Sequence, residues 1–259
     1  MTLRITSANN PRFKRVRSLG GTRKPHREEH VFLLESPRAI AALEHDRNGF
    51  GRVRELWFEE GRGLEDRWSG SFEQASRFSL PAPLFSRLTS VKNSQGILAV
   101  VEYMPPELRI HDRQGRYVVL DGLGDPGNMG TLIRTAVAAG VDAILLHGPC
   151  ADPFNPKCVR ASMGMLPLIG LHRASEECWM ELERGGYDIV GLAAGEGENL
   201  FETAFPPCSV VVLGHEAHGL SSEARRRCSR MVHIPMRPAC ESLNAAVAGA
   251  LAMYATRRV

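Results

Sequence analysis

From residue 117 onward the chain repeats one pattern: a short apolar run, a polar or glycine-marked turn, then a helix-like segment. Strand-like runs fall at 117–121, 143–147, 187–193, 208–213 and 231–235. Helix-like segments lie near 129–139, 156–164, 175–185, 221–228 and 242–257. This alternation leaves few architectures open, because strands joined through helices run parallel and need helices on both faces of the sheet. An α/β fold with a mostly parallel sheet is therefore predicted. In such sheets ligands bind beyond the carboxyl ends of the strands, where the strand order reverses. The turns that follow the apolar runs are thus where chemistry is expected.

The first hundred residues read differently. A helix is expected over 13–19, and a second over 37–43, where Pro37 suits the first helical turn because its missing N–H is not needed there. Strands are expected at 30–34, 53–58 and 95–101, with an exposed, charged and Gly-rich loop over 59–72. Paired prolines, charges and a Gly turn over 103–116 mark a boundary. A length of 259 residues accommodates two modest cores. The expected organisation is a small domain over 1–104, a linker over 105–116 and the alternating domain over 117–259.

Net charge is only +3, so its distribution says more than its sum. Arg12, Lys14, Arg15, Arg17, Arg23 and Lys24 crowd the N-terminus, with few acids near them. Such an arm can neutralise nucleic-acid phosphates without reading bases; a solvated charged helix face accounts for it equally well. No apolar run is long enough to cross a bilayer and none at the N-terminus resembles a secretion signal. The six cysteines contain no CxxC pair, so reduced thiols and a cytoplasmic location are expected.

The turn after the run at 117–121 contains Gly122, Gly124 and Gly127 in a literal G-x-G-x-x-G. A dinucleotide-binding loop would use these glycines to approach a pyrophosphate. Asp125 would set a carboxylate where the pyrophosphate belongs, and Pro126 lacks one of the N–H groups needed to hold it. Asp142, twenty residues on, begins the next strand rather than ending it. A polar helix start at Asn128, with Thr131 and Arg134 following, is the better reading. Asn128 taken alone is an ordinary helix cap. Arg134 lies in an otherwise small and apolar helix, where a charge needs a partner.

Two later turns carry further polar groups. His215, Glu216, Ala217, His218 and Gly219 follow the run ending at Leu213 and Gly214. H-E-x-H lacks the spacing of a zinc helix, so no metal is expected. Glu216 is instead suited to accept backbone N–H bonds or to hold Arg134. In the third segment Ser242 reads as an N-cap before Leu243 and Asn244. Ala245, Ala246, Ala248, Gly249 and Ala252 then form a small-residue surface that permits close approach of another backbone.

Together these segments resemble the SpoU (TrmH-like) branch of the SPOUT RNA ribose 2′-O-methyltransferases. Asn128 and Arg134 match an N-x-x-x-x-x-R motif, Gly214, Glu216 and Gly219 a G-x-E-x-x-G motif, and Ser242, Leu243 and Asn244 a closing S-L-N motif. The stretch 155–164 (NPKCVRASMG) is similar to a connecting segment of the family, and the N-terminal 104 residues to a ribosomal-protein-like RNA-binding domain. Ser36 departs from the glycine usual there. The resemblance implies a C-terminal trefoil knot, a homodimer with its active site near the subunit interface, and S-adenosyl-methionine as cofactor. It assigns Arg134, Asn128, Glu216, Ser242 and Asn244 to catalysis. Leu213, Gly214, Glu216, Gly219, Ile234, Met236, Ser242 and Leu243 are assigned to the cofactor. Large-subunit (23S) rRNA is the preferred substrate and tRNA the second. The rival expectations are a SPOUT-fold RNA-binding protein without activity and, behind it, a dinucleotide oxidoreductase.

Overall fold

A computed structural model describes residues 2–21, 30–45, 50–91, 93–105, 107–110 and 115–256. The chain divides into two compact units, one of Met1–Met104 with Asp152–Leu168, the other of Pro105–Ala151 with Ile169–Val259.

In the first unit, β1 (Thr2–Arg4), β2 (Val31–Leu34), β3 (Gly51–Glu59), β4 (Ser76–Leu80) and β5 (Ile97–Tyr103) form one sheet in the order β1-β4-β3-β5-β2. The β1-β4 and β3-β4 pairs are parallel; β5 runs antiparallel to both β3 and β2. Helix α1 (Pro11–Leu19) is capped by Asn10, whose side chain accepts the N–H groups of Arg12 and Phe13. Its residues Phe13, Val16 and Leu19 recur at helical spacing and pack against Trp57, Phe78, Leu98 and Val100. The opposite face leaves Lys14 and Arg17 exposed, while Arg15 pairs with Glu55 at 3.1 Å and Arg12 lies over the Phe78 ring.

Helices α2 (Pro37–Ala42), α3 (Leu64–Arg67) and α4 (Ala82–Phe85) complete the N-terminal part. The stretch 59–72, read as an open loop, holds α3 and the buried Trp68; its charged composition hides that anchor. Strands β1 and β4 escape the sequence reading because each mixes polar with apolar residues (TLR and SRFSL). Helix α5 (Pro126–Ala139) belongs to the second unit, but α6 (Pro156–Ala161) clusters with the first. Phe154 stacks on Phe32 with ring centroids 5.9 Å apart, and Arg160 donates to the Ser90 hydroxyl at 2.7 Å.

The second unit is built on a fully parallel seven-stranded sheet. Its strands are β6 (Tyr117–Asp121), β7 (Ala143–His147), β8 (Gly170–Arg173), β9 (Asp188–Leu192), β10 (Glu198–Asn199), β11 (Ser209–Leu213) and β12 (Arg230–His233). They lie in the order β10-β12-β9-β11-β6-β7-β8. All five residues of β6 and of β11 are buried, as a parallel sheet covered on both faces requires. The edge strands β8 and β10 were not expected, being short and lacking a continuous apolar run. From β6 the chain steps outward to β7 and β8, then returns to build the other side. The reversal therefore falls between β6 and β11, which are direct neighbours.

Helices α5 (Pro126–Ala139), α7 (Glu176–Arg184), α8 (Ser222–Arg227) and α9 (Ala245–Ala255) flank this sheet. The small-residue surface of α9 lets it press on α5 and β11: a β-carbon at Gly249 would stand 2.5 Å from Leu132 and from Leu213. Arg116 ties the same region together by donating to the Ala139 and Met253 carbonyls at the ends of α5 and α9. Among the described residues no helix is long and apolar enough to cross a membrane.

Candidate active site

The three sequence segments meet at the carboxyl ends of β6, β11 and β12. After β11 the chain folds into a loop pinched at its base, with His215 N–H donating to the Gly219 carbonyl and Gly219 N–H to that of His215. The return path passes directly over Gly214, where a β-carbon would lie 2.1 Å from the Gly219 carbonyl carbon. Only glycine fits there without moving the loop.

Glu216 at the loop's tip reaches across to the first segment. Its carboxylate accepts the backbone N–H groups of Gly124 (3.2 Å) and Asp125 (3.1 Å) and the Asn128 amide (2.9 Å). Asn244 in turn donates its amide to Asn128 Oδ1 at 3.0 Å. One hydrogen-bond chain, Asn244 to Asn128 to Glu216, thus joins all three segments. Partial burial pushes the Glu216 carboxyl up, but hydrogen bonds from Asn128, its own backbone amide, Gly124 and Asp125 outweigh it and hold it below the ordinary carboxylate range.

Helix starts differ from the sequence reading in two places. Asp125, not Asn128, caps α5 by accepting the Asn128 N–H at 2.8 Å, which frees the Asn128 side chain to face Glu216. Asn244, not Ser242, caps α9: its Oδ1 accepts from Ala246 and Val247 while its Nδ2 donates to Asn128. Ser242 lies exposed in the preceding loop.

Arg134 departs further. The reading that a packed helix would give it an acidic partner, with Glu216 the candidate, is not what the structure contains. Helix α5 is unbroken from Pro126 to Ala139, so six residues carry Arg134 about 120° around the axis from Asn128. Its side chain is exposed and makes no hydrogen bond or ion pair among the described residues.

Beside the hydrogen-bond chain lies a cavity of about 460 Å³. All eight residues that the resemblance assigns to the cofactor line it: Leu213, Gly214, Glu216, Gly219, Ile234, Met236, Ser242 and Leu243. Sequence reasoning missed the rest of the lining, chiefly residues 192–194 at the carboxyl end of β9, Glu196 and Arg225, the last two forming an ion pair. Only the strand-end position of 192–194 could have pointed to them.

A buried anchor beneath the loop was also missed. Asp121, 4% exposed at the end of β6, accepts the Ser221 N–H at 2.6 Å and the Ser221 hydroxyl at 3.1 Å. His147 Nδ1 lies 2.8 Å from the same carboxylate. Thus the Glu216 loop is held at one end by β11 and at the other by Asp121. His215 and His218 stack with centroids 4.8 Å apart, and His215 Nδ1 accepts the Ala217 N–H. Among the described residues no group of three or more His, Cys, Asp or Glu side chains could hold a metal ion.

Of the basic residues assigned to RNA, Arg12, Lys14, Arg15 and Arg17 all lie on α1 of the first unit. Arg23 and Lys24 fall outside the described residues.

Comparison with known proteins adds four findings. The profile of the SpoU rRNA Methylase family matches residues 115–254. The chain is 30% identical to the 23S rRNA (guanosine(2553)-2′-O)-methyltransferase RlmP of Bacillus subtilis, over 98% of each chain. It is 32% identical to a 23S rRNA (uridine(2479)-2′-O)-methyltransferase of Streptomyces viridochromogenes, over 97% of this chain and 90% of that one. Among solved structures, an AdoMet-bound rRNA methyltransferase from Sinorhizobium meliloti superposes with a TM-score of 0.86 at 27% identity, covering 98% of this chain and 97% of the other.

Proposed function

The chain belongs to the SpoU rRNA methylase family, and on that premise we propose that it methylates a ribose 2′-hydroxyl of RNA, large-subunit rRNA first and tRNA second. The observation that carries this reading is the Asn244–Asn128–Glu216 chain standing beside the cavity lined by Leu213, Ile234, Met236 and Leu243.

The residues present fit S-adenosyl-methionine. The cavity is of small-ligand size. Leu213, Ile234, Met236 and Leu243 offer apolar walls for adenine, while Glu216 and Glu241 supply negative charge for a sulfonium and an ammonium, Glu196 being paired with Arg225. When bound, this cofactor supplies an activated methyl group. What the chain must add is alignment of a ribose hydroxyl with that methyl and a place for the hydroxyl proton.

Glu216 fixes the backbone of Gly124 and Asp125 and the amide of Asn128, so the wall of the site is set before RNA arrives. Arg134 is a poor proton acceptor, since a guanidinium stays protonated, but it is suited to orienting a ribose or its phosphate. Because Arg134 turns away from Glu216 of its own chain, the proposal places it in the site of a second subunit. Val247 and Tyr254, seven residues apart on α9 and 50% and 47% exposed, offer that subunit an apolar face. The homodimer, the trefoil knot and a cytoplasmic location, the last supported by six free thiols, are parts of the same proposal.

The test is transfer of a tritiated methyl group from S-adenosyl-methionine to rRNA and tRNA isolated from cells lacking the enzyme. Incorporation into 23S rRNA is expected. No incorporation into either RNA, with S-adenosyl-methionine still raising the melting temperature, would favour the RNA-binding protein without activity.

A further inference from the structure

The segment 155–164, marked by the sequence but given no part in methyl transfer, packs into the first unit and there closes a second cavity of about 310 Å³. Its walls are Leu19, Leu33, Phe154 and Val159, with Met163 at the mouth. Met163 is 54% exposed and holds a left-handed backbone (φ 52°), an uncommon state for a large apolar residue. The rim is polar, and its two guanidiniums, Arg38 and Arg160, outnumber its one carboxylate, Glu35. Arg38 and Arg160 have no ion pair among the described residues; Arg160 donates to the Ser90 hydroxyl, which donates in turn to Glu35, and Glu35 also accepts from Thr89. Asn93 and Gln95 add side-chain amides. Leu19 and Gly20, which close one side, end the helix that carries Lys14 and Arg17 on its exposed face.

We propose that this cavity receives one unpaired nucleobase of the substrate RNA, an inference that rests on the RNA-methylating reading above. Sequence-specific RNA recognition targets splayed-out bases that bury a flat apolar face and present a hydrogen-bonding edge. The walls take the face, Asn93 and Gln95 the edge, and Arg38 and Arg160 the flanking phosphates. Lys14 and Arg17 extend the same positive track along α1. A peptide or a second copy of the chain would use the apolar walls but has no need of a net positive rim beside amides.

The test uses the full-length protein and 23S rRNA fragments carrying 5-iodouridine. Irradiation should cross-link the RNA to the tryptic peptide 161–173, which contains Met163. Met163→Gly relieves the left-handed backbone, so folding should be retained or improved. It should nevertheless raise the KM for RNA about five- to tenfold, leaving kcat at saturating RNA and S-adenosyl-methionine affinity unchanged. Methylated RNA that cross-links only elsewhere, with an unchanged KM in Met163→Gly, overturns the assignment and leaves the activity standing. A change of oligomeric state in Met163→Gly with RNA binding intact identifies a contact between copies and also overturns it. If no RNA is methylated, the activity reading falls and the cavity assignment falls with it.

Discussion

Asn244 does two jobs with two atoms, and they can be separated. Its Oδ1 caps α9 through Ala246 and Val247, and its Nδ2 donates to Asn128. Asn244→Ala removes both. Loss of the cap costs about 1 kcal/mol, or about 2–4 °C in Tm for a domain of this size. Asn244→Asp keeps the cap, since Asp and Asn cap equally well, and its charge suits a helix N-terminus. It removes the donor, however, and sets a second carboxylate against Asn128 Oδ1. The Asn128 amide can then turn toward Asp at 244 or stay on Glu216, and either choice leaves an acceptor facing an acceptor. Hydrogen bonds to charged groups contribute about 1.5–3 kcal/mol, so turnover should fall about ten- to hundredfold. Scanning calorimetry and methyl-transfer kinetics read the two effects apart. A cap-retained α9 with strongly reduced turnover is expected for Asn244→Asp, its Tm no lower than that of Asn244→Ala, which loses cap and donor together. Full turnover in Asn244→Asp would refute the idea that the Asn244–Asn128–Glu216 chain organises the site.

If Arg134 serves a second subunit, randomly pairing Arg134→Ala with Asn244→Ala subunits makes half the dimers mixed, each with one intact site of two. Activity should return to about a quarter of wild type, whereas a site built from one chain would stay dead in every dimer. The depressed pKa of Glu216 means that its stabilisation is fully present above the ordinary carboxylate value of about 4.3 and is lost as pH falls through the lower folded value. Wild type should therefore exceed Glu216→Gln in Tm at neutral pH by a margin that shrinks on acidification; a margin that grows would show the sign to be wrong. On α1, neutralising Lys14 or Arg17 should each reduce the salt slope of RNA binding by about 0.7–0.9. Neutralising Arg15, whose guanidinium is already paired with Glu55, should change it less; equal effects in a salt titration would contradict that ranking.

Parts of this fold were legible because burial on both faces writes long apolar runs. The expected strands at 117–121 and 143–147 coincide with Tyr117–Asp121 and Ala143–His147. Edge strands such as Gly170–Arg173 lack that signature, and Trp68 is buried within a charged stretch. In the site, the residues of the three segments were identifiable by type and order, but their contacts were not. Glu216 binds the backbone of Gly124 and Asp125, and backbone groups have no letter in a sequence. Ser242 and Asn244 both suit an N-cap, and only the path of the chain decides between them. Arg134 depends on the pitch of α5: a regular helix turns it from Asn128, which the residue types alone do not reveal.

The central claim is that the three strand-end segments form a site for ribose methylation. Its most direct measurement is mass spectrometry of nucleosides from 23S rRNA incubated with the protein and methyl-labelled S-adenosyl-methionine. The account predicts the label in one 2′-O-methylated nucleoside, and its absence when Asn128→Ala replaces the wild type. Label on a base rather than a ribose, or undiminished labelling by Asn128→Ala, would contradict it.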